Sequence, residues 1–336
     1  MIKKVEIKNF KSIKDVKFDA KKVNIFVGEP NSGKSNLLEA MSLASVLNII
    51  NSKEPNLRKL IRFEKPYDLF FEQNTDKPVS IQLNDFAFTI DIGERASFSL
   101  RVRGYQHIPK VFTISMDGSL GQSRDKYARS LKGFPNIKFY KFFSQSKFGD
   151  DTAGSLMPPH GDNLFTVIVT NKRAGILVSQ LLKPFDLKLL AREAVNELEL
   201  MPSKEDLEEI IKVSYPYAAS SDTLQRIIFY LIAMETNKNA TLLFEEPEAH
   251  SFPFYTKLLA ESIGLDENKN QYFITTHNPY FLMSLIEKTK LKDLAVFVTY
   301  MENYQTRVKL LTTKEVEELL GFDADAFFNL DRFLDR

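Results

Sequence analysis

The 336 residues include no cysteine, which excludes disulfides and any zinc or iron–sulfur site built on thiolates. Histidine is scarce as well. His107, His160, His250 and His277 are scattered and form no H-E-x-x-H pair, which speaks against a dedicated zinc site. No apolar run approaches the roughly 18 residues that a membrane helix needs. Lys3 and Lys4 open the chain without an apolar stretch behind them, so a secretory signal is not expected. A cytoplasmic protein without a membrane partner is the resulting expectation. Internal repeats, low-complexity tracts and sustained heptads are missing too, and the last absence excludes a long coiled-coil arm.

What the chain does have is apolar material and an uneven distribution of charge. Hydrophobic residues make up 43%, with 28 Phe and 12 Tyr, enough for a full core without covalent staples. The net charge is only +1, yet residues 98–147 carry ten Lys/Arg against two Asp/Glu, leaving 35 basic and 42 acidic residues elsewhere. Such a split is either an ordinary solvated face or a surface that meets a polyanion.

The stretch Gly28-Glu29-Pro30-Asn31-Ser32-Gly33-Lys34-Ser35 organises the rest. It follows the apolar run Val23–Val27 and precedes Asn36-Leu37-Leu38-Glu39-Ala40-Met41, giving the strand–loop–helix context of a P-loop. The glycines let successive N–H groups face phosphate oxygens, and the helix beginning near Lys34 adds its positive end. Lys34 is placed to reach the β- and γ-phosphates, and the Ser35 hydroxyl to hold Mg²⁺. Two more apolar strands with polar turns follow. Leu242-Leu243-Phe244 leads to Glu245-Glu246-Pro247, and Gln271–Thr275 leads to Thr276-His277-Asn278-Pro279. This order implies a parallel nucleotide-binding sheet with its ligands at the carboxyl ends of the strands. There Glu245 suits a Mg²⁺ shell, Glu246 can orient and deprotonate a water, and His277 can sense a γ-phosphate or that water.

Elsewhere, residues 2–8 and 16–18 read as short strands, and 34–50 as one helix. Residues 57–63 read as another short helix, and 79–114 as an antiparallel meander. Strands are also expected at 137–140, 188–201 and 210–215, an N-capped helix after Ser220-Ser221-Asp222, and a crossover helix over 254–263. The segment 313–336, with seven acids and three bases, reads as a self-packing cap or a docking helix.

Taken together, GEPNSGKSN, LLFEEPEAH and TTHNP resemble the ABC-type ATPases of the RecF/SMC and OLD-like group. The opening Ile-Lys-Asn-Phe-Lys-Ser-Ile and the Pro-Pro-x-Gly-x-Asn-Leu segment within 156–164 are similar to that group as well. The resemblance implies an α/β P-loop fold of ABC-ATPase type: a mostly parallel core sheet flanked by helices, an antiparallel β subdomain and a helical signature lobe. The whole of 1–336 is then one ATPase domain. Its parts are a basic β insertion over 76–135, a signature lobe over 150–235 and a C-terminal cap over 313–336. Implied cofactors are ATP and Mg²⁺. Phe10, Lys11 and Ser12 would flank base, ribose or phosphate, with Gly28, Asn31, Ser32, Gly33 and Asn36 completing the nucleotide cradle. Gln145 would reach Mg²⁺ beside Ser35 and Glu245. Ser220 and Ser221 would form the signature loop that closes on the partner subunit's nucleotide, although Asp222 or Thr223 stands where a glycine is usual, and a carboxylate there repels phosphate.

These readings lead to an ATP-hydrolysing switch that forms a homodimer with ATP. It would act on DNA through 98–147, in repair or anti-phage defence, with a separately encoded nuclease or effector. Too little chain follows His277 for the Toprim nuclease domain of full OLD enzymes. A non-catalytic nucleotide-gated scaffold of a toxin–antitoxin or defence complex is the alternative. A transporter motor subunit fits less well, since no well-formed Leu-Ser-Gly-Gly-Gln occurs.

Overall fold

The computed structural model describes residues 1–334 apart from 51, 53, 94–96, 105–109, 122–134, 150, 152–153 and 204–212. A hairpin of β1 (Lys4–Phe10) and β2 (Ile13–Asp19) leads to β3 (Val23–Val27), helix α1 (Lys34–Ser42) and the short α2 (Val46–Ile49). Strands β4 (Val79–Leu83), β5 (Phe86–Ile92), β6 (Phe98–Arg103), β7 (Lys110–Ile114) and β8 (Leu120–Gly121) follow, and then β9 (Ile137–Tyr140). Helices α3 (Leu164–Thr170) and α4 (Lys172–Leu182) precede strands β10 (Leu187–Arg192), β11 (Glu197–Pro202) and β12 (Tyr215–Pro216), and then α5 (Asp222–Thr236). The remainder runs β13 (Thr241–Glu245), α6 (Pro253–Gly264), β14 (Gln271–Thr275), α7 (Pro279–Lys288), β15 (Leu294–Glu302), β16 (Gln305–Leu310) and α8 (Thr313–Leu320).

The central sheet has the order β16-β15-β3-β14-β13-β9, parallel throughout except for the edge strand β16. Its apolar runs are buried on both faces, and strand periodicity divides them between two cores. Val23, Ile25 and Val27 point with Leu242, Phe244, Tyr272, Ile274, Val296 and Val298 into a core shared with helices α3–α7. Phe26, Leu243, Phe273, Ala295 and Phe297 point the other way, into a core shared with α1 and the antiparallel sheet. Alternate residues face opposite sides of a pleat, so both layers need these strands mostly apolar; Asn24, a polar exception in β3, donates to the Lys21 and Tyr272 carbonyls.

The meander over 79–114 forms as read, but it does not stand apart from the N-terminal hairpin. β4 pairs with β1, giving one seven-stranded antiparallel sheet in the order β2-β1-β4-β5-β6-β7-β8. Helix α1 lies between the two sheets, touching β1 and β4 on one side and β13, β14 and β9 on the other. Phe26 stacks on Phe297 with ring centres 5.0 Å apart, and Phe18 of β2 meets Phe26 edge-on at 5.4 Å. Each such pair contributes about 0.5–1.5 kcal/mol beyond its buried area. These contacts seat the hairpin against the strand that carries the P-loop.

Two helix expectations need correction. Residues 34–50 are not one α-helix, since a 3₁₀ turn at Leu43–Ser45 separates α1 from α2. The Ser42 hydroxyl donates back to the Glu39 carbonyl at 2.7 Å. The Ser45 hydroxyl donates to the Ile137 carbonyl and accepts from the Phe139 N–H, each at 3.0 Å. Serine hydroxyls that compete for backbone partners tighten a helix locally. Over 57–63 only a 3₁₀ turn, Leu57–Lys59, forms. The strand expected over 188–201 is the hairpin β10–β11; of the one over 210–215, residues 210–212 lie outside the described residues and only Tyr215 is in a strand, β12. In the C-terminal segment Ala326, Leu330, Phe333 and Leu334 join the helical core, so this segment packs on its own chain.

Candidate nucleotide and hydrolysis site

The P-loop has Gly28 at φ +154°, Asn31 at +61° and Gly33 at +95°. The hairpin β15–β16 crowds it from outside. A Cβ on Gly28 would lie 2.1 Å from the Thr299 carbonyl oxygen, and one on Gly33 would lie 1.9 Å from Thr306 Oγ1. Glycine is therefore required twice over, for conformation and for close approach. Thr306 also shares a hydrogen bond with Ser12 Oγ at 2.7 Å, and Asn36 donates to the same Ser12 oxygen at 2.7 Å. The expected Ser12 and Asn36 are thus brought together, with Thr306 as a third member that the motif does not announce.

Lys34 is 4% exposed, and its ammonium donates to the carbonyls of Gly28 (2.9 Å) and Glu29 (2.7 Å) and to Ser32 Oγ (3.3 Å). Burial pulls its pKa down to about 8, while the Glu246 and Glu29 carboxylates oppose the shift.

Register across the parallel strands explains why three distant motifs meet. Glu245 of β13 lies beside Thr275 of β14, and Thr275 beside Phe26 of β3. The residues that follow each strand, Glu246, Thr276-His277 and the P-loop, therefore leave the sheet side by side. The Glu246 N–H donates to the Thr275 carbonyl at 3.1 Å, and its carboxylate stands 3.2 Å from His277 Nε2. His277 foremost, then Lys34 and Arg62, hold the Glu246 carboxyl below the usual range, so it is ionised at neutral pH. Its backbone is left-handed, at φ +43°.

Glu245 is 10% exposed and takes ion pairs with Arg62 Nη2 and Lys141 Nζ, each at 3.1 Å. Arg62 reaches from there to Glu39 of α1 at 2.6 Å, and Lys11 forms a second pair with Glu39. Glu39 is 1% exposed, and a carboxylate so buried persists only with such cations. This chain of charges links the β1–β2 turn, α1 and the end of β13. Its one legible sign in the sequence is an acid inside the otherwise apolar helix Leu37–Met41; nothing in the sequence singles out Arg62 or Lys141.

Other expected residues are placed as follows. Phe10 departs from expectation, because its ring is fully buried in the core and has no face for a base. Gln145 donates its amide to the His160 carbonyl at 2.8 Å and to Asp162 Oδ1 at 3.3 Å. Ser221 is the N-cap of α5 and accepts from the Leu224 N–H at 3.3 Å, whereas the Ser220 hydroxyl donates to the Tyr217 carbonyl. Asp222 turns along its helix to Arg226 at 3.2 Å, and Thr223 donates to the His250 carbonyl at 2.9 Å. The start of α5 thus abuts the turn after Glu246. Of the basic residues in 98–147, Lys110 is buried, Lys138 donates to Ser155 at 2.7 Å, and Lys141 is engaged by Glu245. Arg124, Lys126, Arg129 and Lys132 lie outside the described residues.

The oxygen donors expected for Mg²⁺ are the Ser35 hydroxyl, Glu245 and Gln145, but here Arg62 and Lys141 face both Glu245 oxygens and Gln145 is held through its amide N–H groups by His160 and Asp162. No cluster of three or more His, Cys, Asp or Glu occurs among the described residues. That set fits a hard cation held by one carboxylate, a hydroxyl and nucleotide phosphates better than it fits an all-protein metal cage.

A family model described as an AAA ATPase domain matches residues 1–225 and 220–282. The chain belongs to this AAA ATPase domain family. It is also 24% identical to an ATP/GTP phosphatase of Helicobacter pylori, an alignment that spans 88% of this chain and 90% of that protein. Among solved structures it resembles an SMC head bound to the C-winged helix domain of ScpA, with a TM-score of 0.53 at 16% identity, covering 94% of this chain and 99% of that one. An SMC head with coiled coil and joint from Pyrococcus yayanosii matches with a TM-score of 0.52 at 12% identity, covering 95% and 99% of the two chains. The likeness to these heads is one of fold: a P-loop core sheet beside an antiparallel subdomain. The longest helix among the described residues of this AAA ATPase domain is α5, with 15 residues. Among the described residues no helix is long and apolar enough to cross a membrane. As an ATPase domain it binds nucleotide.

Proposed function

We propose that this ATPase works as a nucleotide-driven switch. ATP binds along the P-loop, with Lys34 on the phosphates and Ser35 and Glu245 holding Mg²⁺. Glu246, oriented by His277, accepts a proton from the attacking water. The observation that carries this reading is the Glu246–His277 pair, 3.2 Å apart, with its carboxylate ionised in the field of Lys34. Phosphoryl transfer asks mainly for positioning and charge compensation, which Lys34 and Arg62 supply. Similarity to an ATP/GTP phosphatase over most of both chains supports triphosphate hydrolysis. Magnesium, when bound, neutralises charge developing on the phosphates.

The Ser220–Thr223 turn at the start of α5 is the surface we assign to closing on a second copy. With Asp222 drawn back onto Arg226, the capped helix end offers N–H groups to a partner's phosphate. Light scattering on the Glu246→Gln protein is expected to report a monomer without nucleotide and a dimer with ATP–Mg²⁺. An unchanged mass refutes the switch.

Lys34 supplies a second check. Its free ammonium titrates at about 8 because burial disfavours the charge, and a polyphosphate restores it. Near pH 8, ATP binding is therefore expected to take up a proton, up to about half of one per site. Calorimetry in two buffers of different ionisation enthalpy measures this, and Lys34→Gln removes it.

DNA is the object that best suits the charge split, although in the described part only Arg101, Arg103 and Lys147 remain toward solvent. Duplex binding is expected to weaken linearly on a log–log salt plot. Joint replacement of Arg101, Arg103, Arg124, Lys126, Arg129 and Lys132 by Ala is expected to flatten that slope by about 0.9 for each phosphate no longer neutralised. An unchanged slope removes this stretch from the reading.

A further inference from the structure

One buried acid beside the site has no part in the chemistry above. Glu248 lies in the turn after β13, is 3% exposed, and accepts a short hydrogen bond from the Thr276 hydroxyl. We infer that Glu248 and Thr276 together are positioning residues that set the Glu246–His277 pair, an inference that rests on reading that pair as the water-activating group.

Ring closure is the means. Glu248 follows Glu246 by two residues, and His277 follows Thr276 by one. The Glu246–His277 contact and the Glu248–Thr276 bond therefore close a small ring made of two chain segments and two side-chain links. Pro247 stiffens one segment by fixing its own φ. The other is anchored twice more: Thr276 N–H donates to the Phe26 carbonyl at the root of the P-loop at 3.2 Å, and Thr276 Oγ1 accepts from the Asn278 N–H at 3.0 Å. Thr276 thus joins the β3 end, the β13 turn and the α7 cap.

Glu246 needs such a frame. Its φ of +43° is rare for a side-chain-bearing residue, and a following proline disfavours helical backbone further. A strained residue at a working site holds its shape only when its surroundings over-determine it. Thr275 secures the Glu246 N–H on one side, and the Glu248–Thr276 bond secures the chain two residues on. Among the described residues Glu248 Oε2 is buried with no hydrogen-bond partner of full geometry, although the backbone N–H groups of Glu248 and His277 lie near the carboxyl. Burial raises the carboxyl's pKa to about 7, so the protonated form is populated near neutrality, and glutamine is its neutral counterpart in shape. A buried oxygen without a partner is costly, and a tie that served packing alone could use an apolar residue instead.

The test compares steady-state ATP hydrolysis and nucleotide affinity in the full chain. Thr276→Val and Glu248→Ala are each expected to lower kcat about 10- to 100-fold, the scale of a misplacement near 1 Å. KM and ATP affinity are expected to stay within about threefold, because what is lost is the placement of Glu246 on the attacking water, which counts in the transition state. Thr276→Ser and Glu248→Gln are expected to recover most of the loss. Unchanged kcat in the Thr276→Val protein, or KM and affinity failing in step with kcat, overturns the inference. Glu246→Gln serves as the control. If that variant loses turnover while Thr276→Val keeps it, the positioning role alone is refuted. If Glu246→Gln hydrolyses ATP normally, the reading of the pair falls and the positioning role falls with it.

Discussion

Glu246→Gln is expected to lower ATP turnover by about 10²- to 10⁴-fold, the usual contribution of a positioned general base, with nucleotide affinity preserved. Glutamine keeps the side chain's length and its contact with His277 but cannot accept a proton from water. The His277 imidazole and the cations that hold Glu246 ionised lose their carboxylate partner, yet none of the P-loop contacts of Lys34 depends on it. Single-turnover hydrolysis measured beside equilibrium binding separates the two effects. A fall in affinity matching the fall in rate would place Glu246 in binding and not in water activation.

Gly33→Ala is expected to have the second large effect, and it combines two penalties. At φ +95° and ψ 10° left-handed backbone costs a methyl-bearing residue about 1–2 kcal/mol. The new Cβ also meets Thr306 Oγ1 at 1.9 Å and Thr306 Cγ2 at 2.8 Å, too close for a small adjustment. Either the P-loop or the β15–β16 hairpin must move, taking Ser12 and Asn36 with it. A total loss of about 2–4 kcal/mol is expected, with at least a tenfold drop in ATP affinity if the loop is what yields. Adding Thr306→Ala is expected to return most of the steric part, leaving the contact with the Thr306 Cβ at 2.9 Å and the conformational part. A double-mutant cycle then gives a coupling of about 1–2 kcal/mol. Strict additivity in denaturant melts would mean that the two residues do not compete for this space.

Much of this site is legible in the order of residues alone. The P-loop declares itself because phosphate binding constrains backbone, and glycine at fixed spacing is the trace of that constraint. β3, β13 and β14 declare themselves because a strand buried on both faces is mostly apolar instead of alternating. Glu246 and His277 follow, since a polar residue just after such a strand lies at the carboxyl edge of the sheet.

Other features depend on residues that the chain brings together only when folded. Arg62 and Glu245 are 183 residues apart in sequence, and Ser12 and Thr306 are 294 apart. Neither charge pairs nor hydroxyl pairs carry a period or a spacing that points to the partner. The joining of β4 to β1 is likewise a choice of edge that alternation in either strand leaves open. Phe10 shows the limit from the other side: its motif suggested contact with nucleotide, whereas the packing of α1 between the two sheets claims its ring for the core. Local chemistry, written in backbone demands and strand burial, was thus determined by the sequence alone. Which cations hold Glu39 and Glu245, and which threonine crowds Gly33, was decided by tertiary structure, because contacts between distant segments exist only once both sheets have closed on α1.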